Sequence, residues 1–426
     1  MPTIRFGHMA DVHLGAFRDS RLREMNLEAF KRALSICRDE KVDFIVIAGD
    51  LFHTTIPDMG IVKRAVDAMR ELRDAGIRIY VIYGSHDYSA TGTSLIDVLE
   101  GTGLFKKVLK VGGDGGKGER EDRVKLEFIV DEPTGTKLTG VSGRKATLEK
   151  ANYEALDVEG LEKEQGFKIF VLHSAITEFR PSFVPEDQSI PMSMLPKGFD
   201  YYAAGHIHRK SHNKMPDGAP IVYPGPLMGY DYRDLEEAET EKRGFFIVEW
   251  DGRAISMDFK AVQERAVRVI DIDADGKTAR QVTEVIAAKV NLVGAEDKVK
   301  GSIVLLKVSG ELASGKPSDV DIAAAEDALM GAGAEVVLPN RNRLTTKEHG
   351  KVTIAASTRA EIEAKVFEER LKVLNIEDKG LKGKDGIALA KRLTPIVVEE
   401  QGARKKEQYE TDIVKAASSL LEVDLE

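Results

Sequence analysis

Five stretches of this chain end in short polar motifs built from Asp, His and Gly. They are Asp11-Val-His13, Gly49-Asp50-Leu-Phe-His53, Gly84-Ser85-His86-Asp87, Val-Leu-His173-Ser and Gly205-His206-Ile-His208. The runs before them are apolar and short: VDFIVIAGDLF at 42–52, IRIYVIYG at 77–84 and KIFVLH at 168–173. Such runs, rich in Val, Ile, Phe and Tyr and bounded by polar or Gly residues, have the composition of buried strands. Between them the apolar residues recur at helical spacing. Leu22, Met25, Phe30, Ala33, Leu34 and Cys37 do so over 20–39. Ile61, Val62, Ala65, Met69 and Leu72 do so over 59–75, and Gly76 fits the residue just past a helix end. Strands alternating with helices predict an α/β layered domain from Thr3 to about Trp250.

The spacing within the motifs carries chemical meaning. Residues i and i+2 of a strand point to one side, so Asp11 can aim with His13, and His206 with His208. Open α/β sheets bind ligands beyond the carboxyl ends of their strands. Five such ends therefore converge on one crevice. Carboxylates mixed with neutral imidazoles suit manganese, iron or zinc better than magnesium alone. The donors outnumber the needs of one ion, which points to two ions roughly 3.5–4 Å apart. Asp50 is the candidate bridging carboxylate. His53 fits a substrate contact or a loop histidine packed on the crevice wall. His8, His212 and His349 belong to no motif and read as surface or satisfied structural histidines.

Two further regions follow. Residues 262–345 read β-α-β-α-β without any His, as a recognition or capping unit. From Ser357 the pattern is helical: TRAEIEAKVFEERLKVL, then GIALAKRLTPIVVEEQ with Pro395 as a kink, then QYETDIVKAASSLLEVDL. Ile362, Val366, Phe367, Leu371 and Leu374 form an apolar stripe that needs a surface to cover it, a partner's or the chain's own. VGGDGGKGERED at 111–122 reads as a polar surface loop. No apolar run is long enough to span a membrane, and the first fifteen residues lack the apolar core of a signal peptide. Cys37 is the only cysteine, which fits a reducing cytoplasm. The formal charge of −9 argues against a general coat of nucleic acid, which leaves a basic footprint.

The motifs in this order resemble the calcineurin-like metallophosphoesterase superfamily. Within it, the chain resembles the nuclease subunit of the double-strand-break repair complex, the meiotic-recombination-eleven or SbcD family, in an archaeal-looking form. The likeness rests on ADVHLG (10–15), AGDLFH (48–53), YGSHD (83–87), LHS (172–174) and AAGHIHR (203–209). It implies a layered α/β metallophosphoesterase sandwich, a small α/β capping domain and a helical C-terminal tail. The corresponding spans are 1–255 for the nuclease, 262–345 for the DNA-capping domain and 357–426 for an ATPase-binding region.

The resemblance also implies residue roles. Asp11, His13, Asp50 and His208 would hold a first metal, and Asp50, His173 and His206 a second. His86 would protonate the leaving oxygen, and His53 would touch substrate phosphate. The family has Asn where this chain has Ser85, a shorter and weaker oxygen donor that would reach the second metal directly or through water. Arg18 is the candidate substrate contact among basic residues that include Arg21, Arg23, Arg32, Arg180, Arg209, Lys210, Arg341 and Arg343. The implied cofactor is a pair of Mn2+ ions, with Mg2+, Fe or Zn as substitutes. The implied activity is 3′→5′ exonuclease on duplex ends and endonuclease on single strands or hairpins. The implied partners are DNA, a coiled-coil ABC-type ATPase of the radiation-sensitive-fifty or SbcC type, and a second copy of the chain. The copies would meet through the helices at 59–75 and 94–104, whose stripes (Ile61, Val62, Met69, Leu95, Ile96, Leu99) also suit an ordinary core. The setting would be the cytoplasm of a prokaryote, near its nucleoid. Two other readings stand beside this one: a different phosphodiesterase or phosphatase of the superfamily, and a non-catalytic scaffold.

Overall fold

The structure is a computed structural model that describes residues 3–88, 93–109, 123–144, 148–295, 299–346, 367, 383–398 and 406–421. The chain divides into two compact units. The first holds 1–271, 286–307 and 322–340; the second holds 272–285, 308–321 and 341–426.

The first unit is built on two six-stranded sheets. In chain order its elements begin β1 (Ile4–Met9), α1 (Ser20–Asp39), β2 (Phe44–Ala48), α2 (Met59–Asp74), β3 (Arg78–Ile82), α3 (Leu95–Gly101) and β4 (Lys106–Lys107). They continue with β5 (Ile129–Asp131), β6 (Thr136–Val141), α4 (Lys150–Glu154), α5 (Val158–Lys163), β7 (Lys168–His173) and β8 (Tyr201–Gly205). Then come β9 (Ser211–Lys214), β10 (Pro220–Tyr223), α6 (Tyr232–Glu237), β11 (Gly244–Trp250) and β12 (Ile255–Ala261). One sheet has the order β12-β11-β1-β2-β3-β4 and the other β5-β6-β7-β8-β10-β9. The central strands β1-β2-β3 and β6-β7-β8-β10 run parallel, so their carboxyl ends lie on one side of each sheet.

Both sheets are covered on both faces, which explains the continuous apolar runs in sequence. In β2, Phe44, Val46 and Ala48 face the core between the sheets, while Ile45 and Ile47 face α1 and α2. In β7, Ile169 and Val171 face inward, while Phe170 and Leu172 pack under the outer layer. The inner core is aromatic at one end, with Phe6 stacked on Phe44 at 5.1 Å and edge-on to Tyr201 at 5.3 Å. Asp19 caps α1 and Asp58 caps α2, each accepting backbone N–H bonds of the first turn. Gly76 takes φ +83 past the end of α2, as predicted. The apolar face of α2 is core: Ile61, Val62, Ala65, Met69 and Leu72 are buried, and so are Ile96 and Leu99 of α3. These stripes are therefore covered within one chain. Met59 and Val98, with Ile56 just before α2, are the apolar residues left outside. Cys37 is buried against Gly7, and burial raises its thiol pKa.

The remaining elements are β13 (Val267–Asp273), α7 (Ala279–Ala295), β14 (Ile303–Leu312), α8 (Ala323–Gly331), β15 (Val336–Thr346), α9 (Gly383–Val398) and α10 (Lys406–Leu421). The order β13-α7-β14-α8-β15 follows the predicted alternation, with the three strands in one sheet. Pro395 sits inside α9. The predicted loop at 111–122, His349 and, Phe367 apart, the helix at 358–374 lie outside the described residues. No helix among the described residues is long and apolar enough to cross a membrane.

One buried carboxylate ties the two sheets. Asp131 of β5 accepts from Arg78 Nε and Nη2, both at 2.8 Å, and from Tyr80 Oη at 2.7 Å; both partners lie on β3. Burial alone would raise its pKa, but the bonds from Arg78, Thr134 and Tyr80 outweigh burial and hold it below the usual value. Its stabilisation is complete above about pH 4, where an unfolded carboxyl is already ionised, and is lost as pH falls through the lower folded pKa. Asp131→Asn should cost roughly 3 kcal/mol at neutral pH. The gap to the parent protein should close in acid, as urea unfolding at both pH values will measure.

Candidate metal centre

The five motifs do meet, but not by strand alternation. Asp11 and His13 lie beyond β1, Asp50 beyond β2 and His206 beyond β8, and all four have left-handed backbones with φ of 52, 50, 53 and 88°. Only two other non-glycine residues among those described, Phe17 and Lys41, share this region. Left-handed conformations cost of order 1 kcal/mol or more each, and such strain gathers at functional sites. The turns are locked by backbone bonds, Asp11 N to Gly49 O at 3.1 Å and His13 N to Asp50 O at 2.9 Å. Two glycines leave the room. A Cβ on Gly84 would lie 2.0 Å from Asp50 Oδ1, and one on Gly49, at φ +87, would lie 2.2 Å from His173 Nδ1.

Asp50 is the centre of the group. Its Oδ2 lies 3.2 Å from His173 Nε2 and 3.6 Å from His13 Nε2. Its Oδ1 accepts from His86 N at 2.8 Å. Asp11 Oδ1 lies 3.6 Å from His208 Nε2 and 3.9 Å from His173 Nδ1, and its carboxylate accepts from His206 N. His13 Nε2 and His208 Nε2 are 3.3 Å apart. Donor atoms thus cluster in three groups: Asp11, His13 and His208; Asp11, Asp50 and His173; and His13, His53 and His86. The His206 ring stands 5.2 Å from that of His173, centre to centre, and belongs to none of the three.

The donor set fits divalent metal. Asp11, His13, Asp50 and His173 are almost wholly buried. His173 Nε2 and His13 Nδ1 are buried without a hydrogen-bond partner. Buried polar atoms without partners are costly, and a metal ion held by these carboxylates and ring nitrogens would relieve that cost at His173 Nε2. The electrostatics agree. Burial would lower the His173 pKa, yet the Asp50 and Asp11 carboxylates push it up to about 10. Burial is likewise outweighed at His208, where Asp234 and Asp11 push the pKa up to about 9. His206, lacking so close a carboxylate, is driven by burial down to about 3.

Two of the other expected site residues, His53 and His86, stand against this core. His86 Nδ1 donates to His53 O at 2.8 Å, which leaves Nε2 as the nitrogen available for proton transfer. The rings of His53 and His86 stack at 5.0 Å. Ser85 is half-buried in the turn after β3. Arg18 is exposed in the bend before α1. Other basic residues are committed elsewhere: Arg21 to Asp19, Arg32 to Glu264, Arg180 to Glu186 and Arg209 to Glu237. His8 is not on the surface. It is buried on β1, bonded to Tyr201 Oη at 2.9 Å.

Sequence reasoning missed four residues. Asp87 accepts from the backbone N–H groups of Leu51, Phe52 and Gly84, so it fixes both the Asp50 and the His86 turns. Burial, aided by Asp50, raises its pKa to about 7. Asp234 on α6 binds His208 Nδ1 at 2.8 Å and fixes that ring. Buried Arg243 in turn holds the His208 and Asp234 carbonyls at 2.7 and 2.6 Å. Tyr230 lies 4.5 Å from the His13 ring and 5.1–5.6 Å from those of His53, His86 and His208. Asp87 stands in a motif and was readable there. The other three follow β8 with no spacing that marks them.

Comparison with known proteins bears on the part of the chain that holds the site. Residues 4–210 match the calcineurin-like phosphoesterase family. The chain carries a calcineurin-like phosphoesterase domain. It is similar to the DNA double-strand break repair protein Mre11 of Methanopyrus kandleri, 30% identical over 64% of this chain and 60% of the relative. The like-named protein of Archaeoglobus fulgidus is 30% identical over 55% and 52%, and that of Thermoplasma acidophilum 25% over 72% and 77%. The match thus spans about half to three-fifths of the first two relatives' length. A dimetal phosphatase from Danio rerio shares 12% identity over 62% of this chain and 98% of its own, at a TM-score of 0.38.

Asp234→Asn keeps the shape but loses the charge that orients His208. It should weaken divalent-metal affinity about 10- to 100-fold while leaving the fold intact, as titration calorimetry and circular dichroism will measure.

Proposed function

We propose that the chain is a metal-dependent phosphodiesterase that cuts DNA, a nuclease of double-strand-break repair. The observation that carries this reading is the shared carboxylate: Asp50 lies within 3.6 Å of His13 and His173, in a crevice with Asp11 and His208. Asp11, His13, Asp50 and His208 would hold one ion, and Asp50, His173 and His206 the other, manganese being the candidate. When bound, divalent ions supply Lewis acidity at the phosphoryl group and bring the pKa of water toward neutral. The chain's own residues do the rest. His86, its Nδ1 tied to the His53 carbonyl, presents Nε2 to protonate the leaving oxygen. His53, half-buried beside it, lines the seat of the scissile phosphate, and Arg18 reaches the strand beyond.

The division into a nuclease domain at 1–255, a capping domain at 262–345 and an ATPase-binding region at 357–426 belongs to the same proposal. So do 3′→5′ exonuclease action on duplex ends and endonuclease action on single strands and hairpins. The ATPase partner would be of the coiled-coil ABC type. A second copy of the chain would use the exposed Ile56, Met59 and Val98, since the helix stripes themselves are core. The relatives' name supports a role at DNA.

End-labelled duplex and hairpin DNA with manganese, with and without the ATPase, test the reading. Asp50→Asn should abolish cleavage and metal binding together. His86→Asn should cut turnover by about 10²–10⁴ while metal binding persists. A chain that hydrolyses a nitrophenyl phosphodiester but no DNA is a different phosphoesterase. Ser85→Asn should tighten the weaker metal site in a manganese titration, because the amide oxygen reaches further than the hydroxyl. An unchanged titration removes Ser85 from the ligand set.

A further inference from the structure

Phe183 is an aromatic ring left in water. It is 44% exposed, and it is the only aromatic among the exposed large apolar side chains of the described residues. Leaving such a ring outside forgoes the burial energy that places most Phe side chains in a core. Two guanidinium groups cover it instead. Arg233 lies 4.4 Å from the ring centre and Arg209 lies 5.2 Å from it. The two arginines differ. Arg209 is anchored, with Nε and Nη2 donating to Glu237 Oε1 at 3.0 and 2.5 Å. Arg233 is exposed on α6 and has no carboxylate partner among the described residues.

The location matters as much as the chemistry. Arg209 follows His208 in the chain, and Arg233 precedes Asp234, whose carboxylate binds the His208 ring at 2.8 Å. The platform is therefore one residue removed in sequence, on two sides, from the Asp234–His208 pair at the metal centre. A planar apolar face held between cations is what an unpaired nucleobase and its phosphate require: the base stacks on the ring, and a guanidinium meets the backbone. A paired base, already stacked in its duplex, gains little from the same surface.

We propose that Phe183, Arg209 and Arg233 form a stacking platform for an unpaired nucleotide of a single strand that enters or leaves the metal centre. Arg233 leaves the ring for the phosphate, the base takes its place, and Arg209 stays fixed by Glu237. The inference rests on the nuclease reading and deepens it, by assigning the strand beyond the scissile phosphate a seat of its own.

The test uses the full chain, with calcium in place of manganese. Anisotropy of a labelled oligothymidylate and of a blunt duplex gives both affinities. Phe183→Ala should bind the single strand about tenfold more weakly, with a smaller change on the duplex. Phe183→Trp should restore single-strand binding, and its indole emission should be quenched by the strand. Arg233→Glu should weaken single-strand binding and flatten its salt dependence. Equal losses on single strand and duplex, no loss in Phe183→Ala, or an indole indifferent to the strand would each overturn the platform. A parent protein that hydrolyses a nitrophenyl phosphodiester yet binds neither DNA overturns the nuclease reading itself. A parent that binds both DNAs while Phe183→Ala behaves like it overturns the platform alone.

Discussion

Everything in the first unit depends on bringing two carboxylates and several imidazoles out of water into one crevice. Asp11 and Asp50 are buried, and so are His13 and His173. Separate buried charges of this kind are prohibitive, so the site exists only because each charge is close to an opposite one. The histidines meet part of the requirement: the carboxylates beside His173 and His208 raise the pKa of both rings. Divalent cations offer the same compensation with more charge in less space. This is the physical sense in which the crevice is built for metal.

The scaffold is arranged to make that crowding possible. Strands buried on both faces hold the backbone still up to their last residue, and the chain then turns left-handed within one or two positions. A turn that sharp leaves no space behind it, which is why Gly49 and Gly84 back onto His173 and Asp50. The strain at Asp11, His13, Asp50 and His206 is sustained by the sheets, and at Asp50 also by Asp87, which accepts the backbone N–H groups of Leu51 and Phe52. Stability is thus spent in the sheets and used at their ends.

This logic separates what could be read in advance from what could not. The strands around Phe44–Ala48 and Lys168–His173 were legible because burial on two faces leaves an unbroken apolar run. The ligand candidates were legible because they stand at or just past strand ends, Asp50 and His206 each directly after a glycine. The means of convergence was misread: alternation along a strand would aim Asp11 with His13, but both residues are already past β1, and the left-handed turns do the aiming. Asp234, Tyr230 and Arg243 were illegible for another reason. They reach the site through the chain's return after β10, and no local period records a contact made by tertiary packing with His208 or His13. The α2 stripe shows the converse limit. Helical spacing shows that Ile61 and Met69 share a face, but not whether that face meets the chain's own sheet or another chain.

Net charge is a coarse guide for a related reason. The value of −9 sums over residues that are not free to act. Arg32 is held by Glu264, Arg64 by Glu24, Arg180 by Glu186 and Arg209 by Glu237, so these cations are matched on the surface before any ligand arrives. Such exposed pairs contribute little to stability, and breaking one for a phosphate costs little more. A cation without a carboxylate, such as Arg233, needs no such exchange. The basic footprint of a phosphate-binding protein is therefore better sought in the pairing of each guanidinium than in the sum of charges.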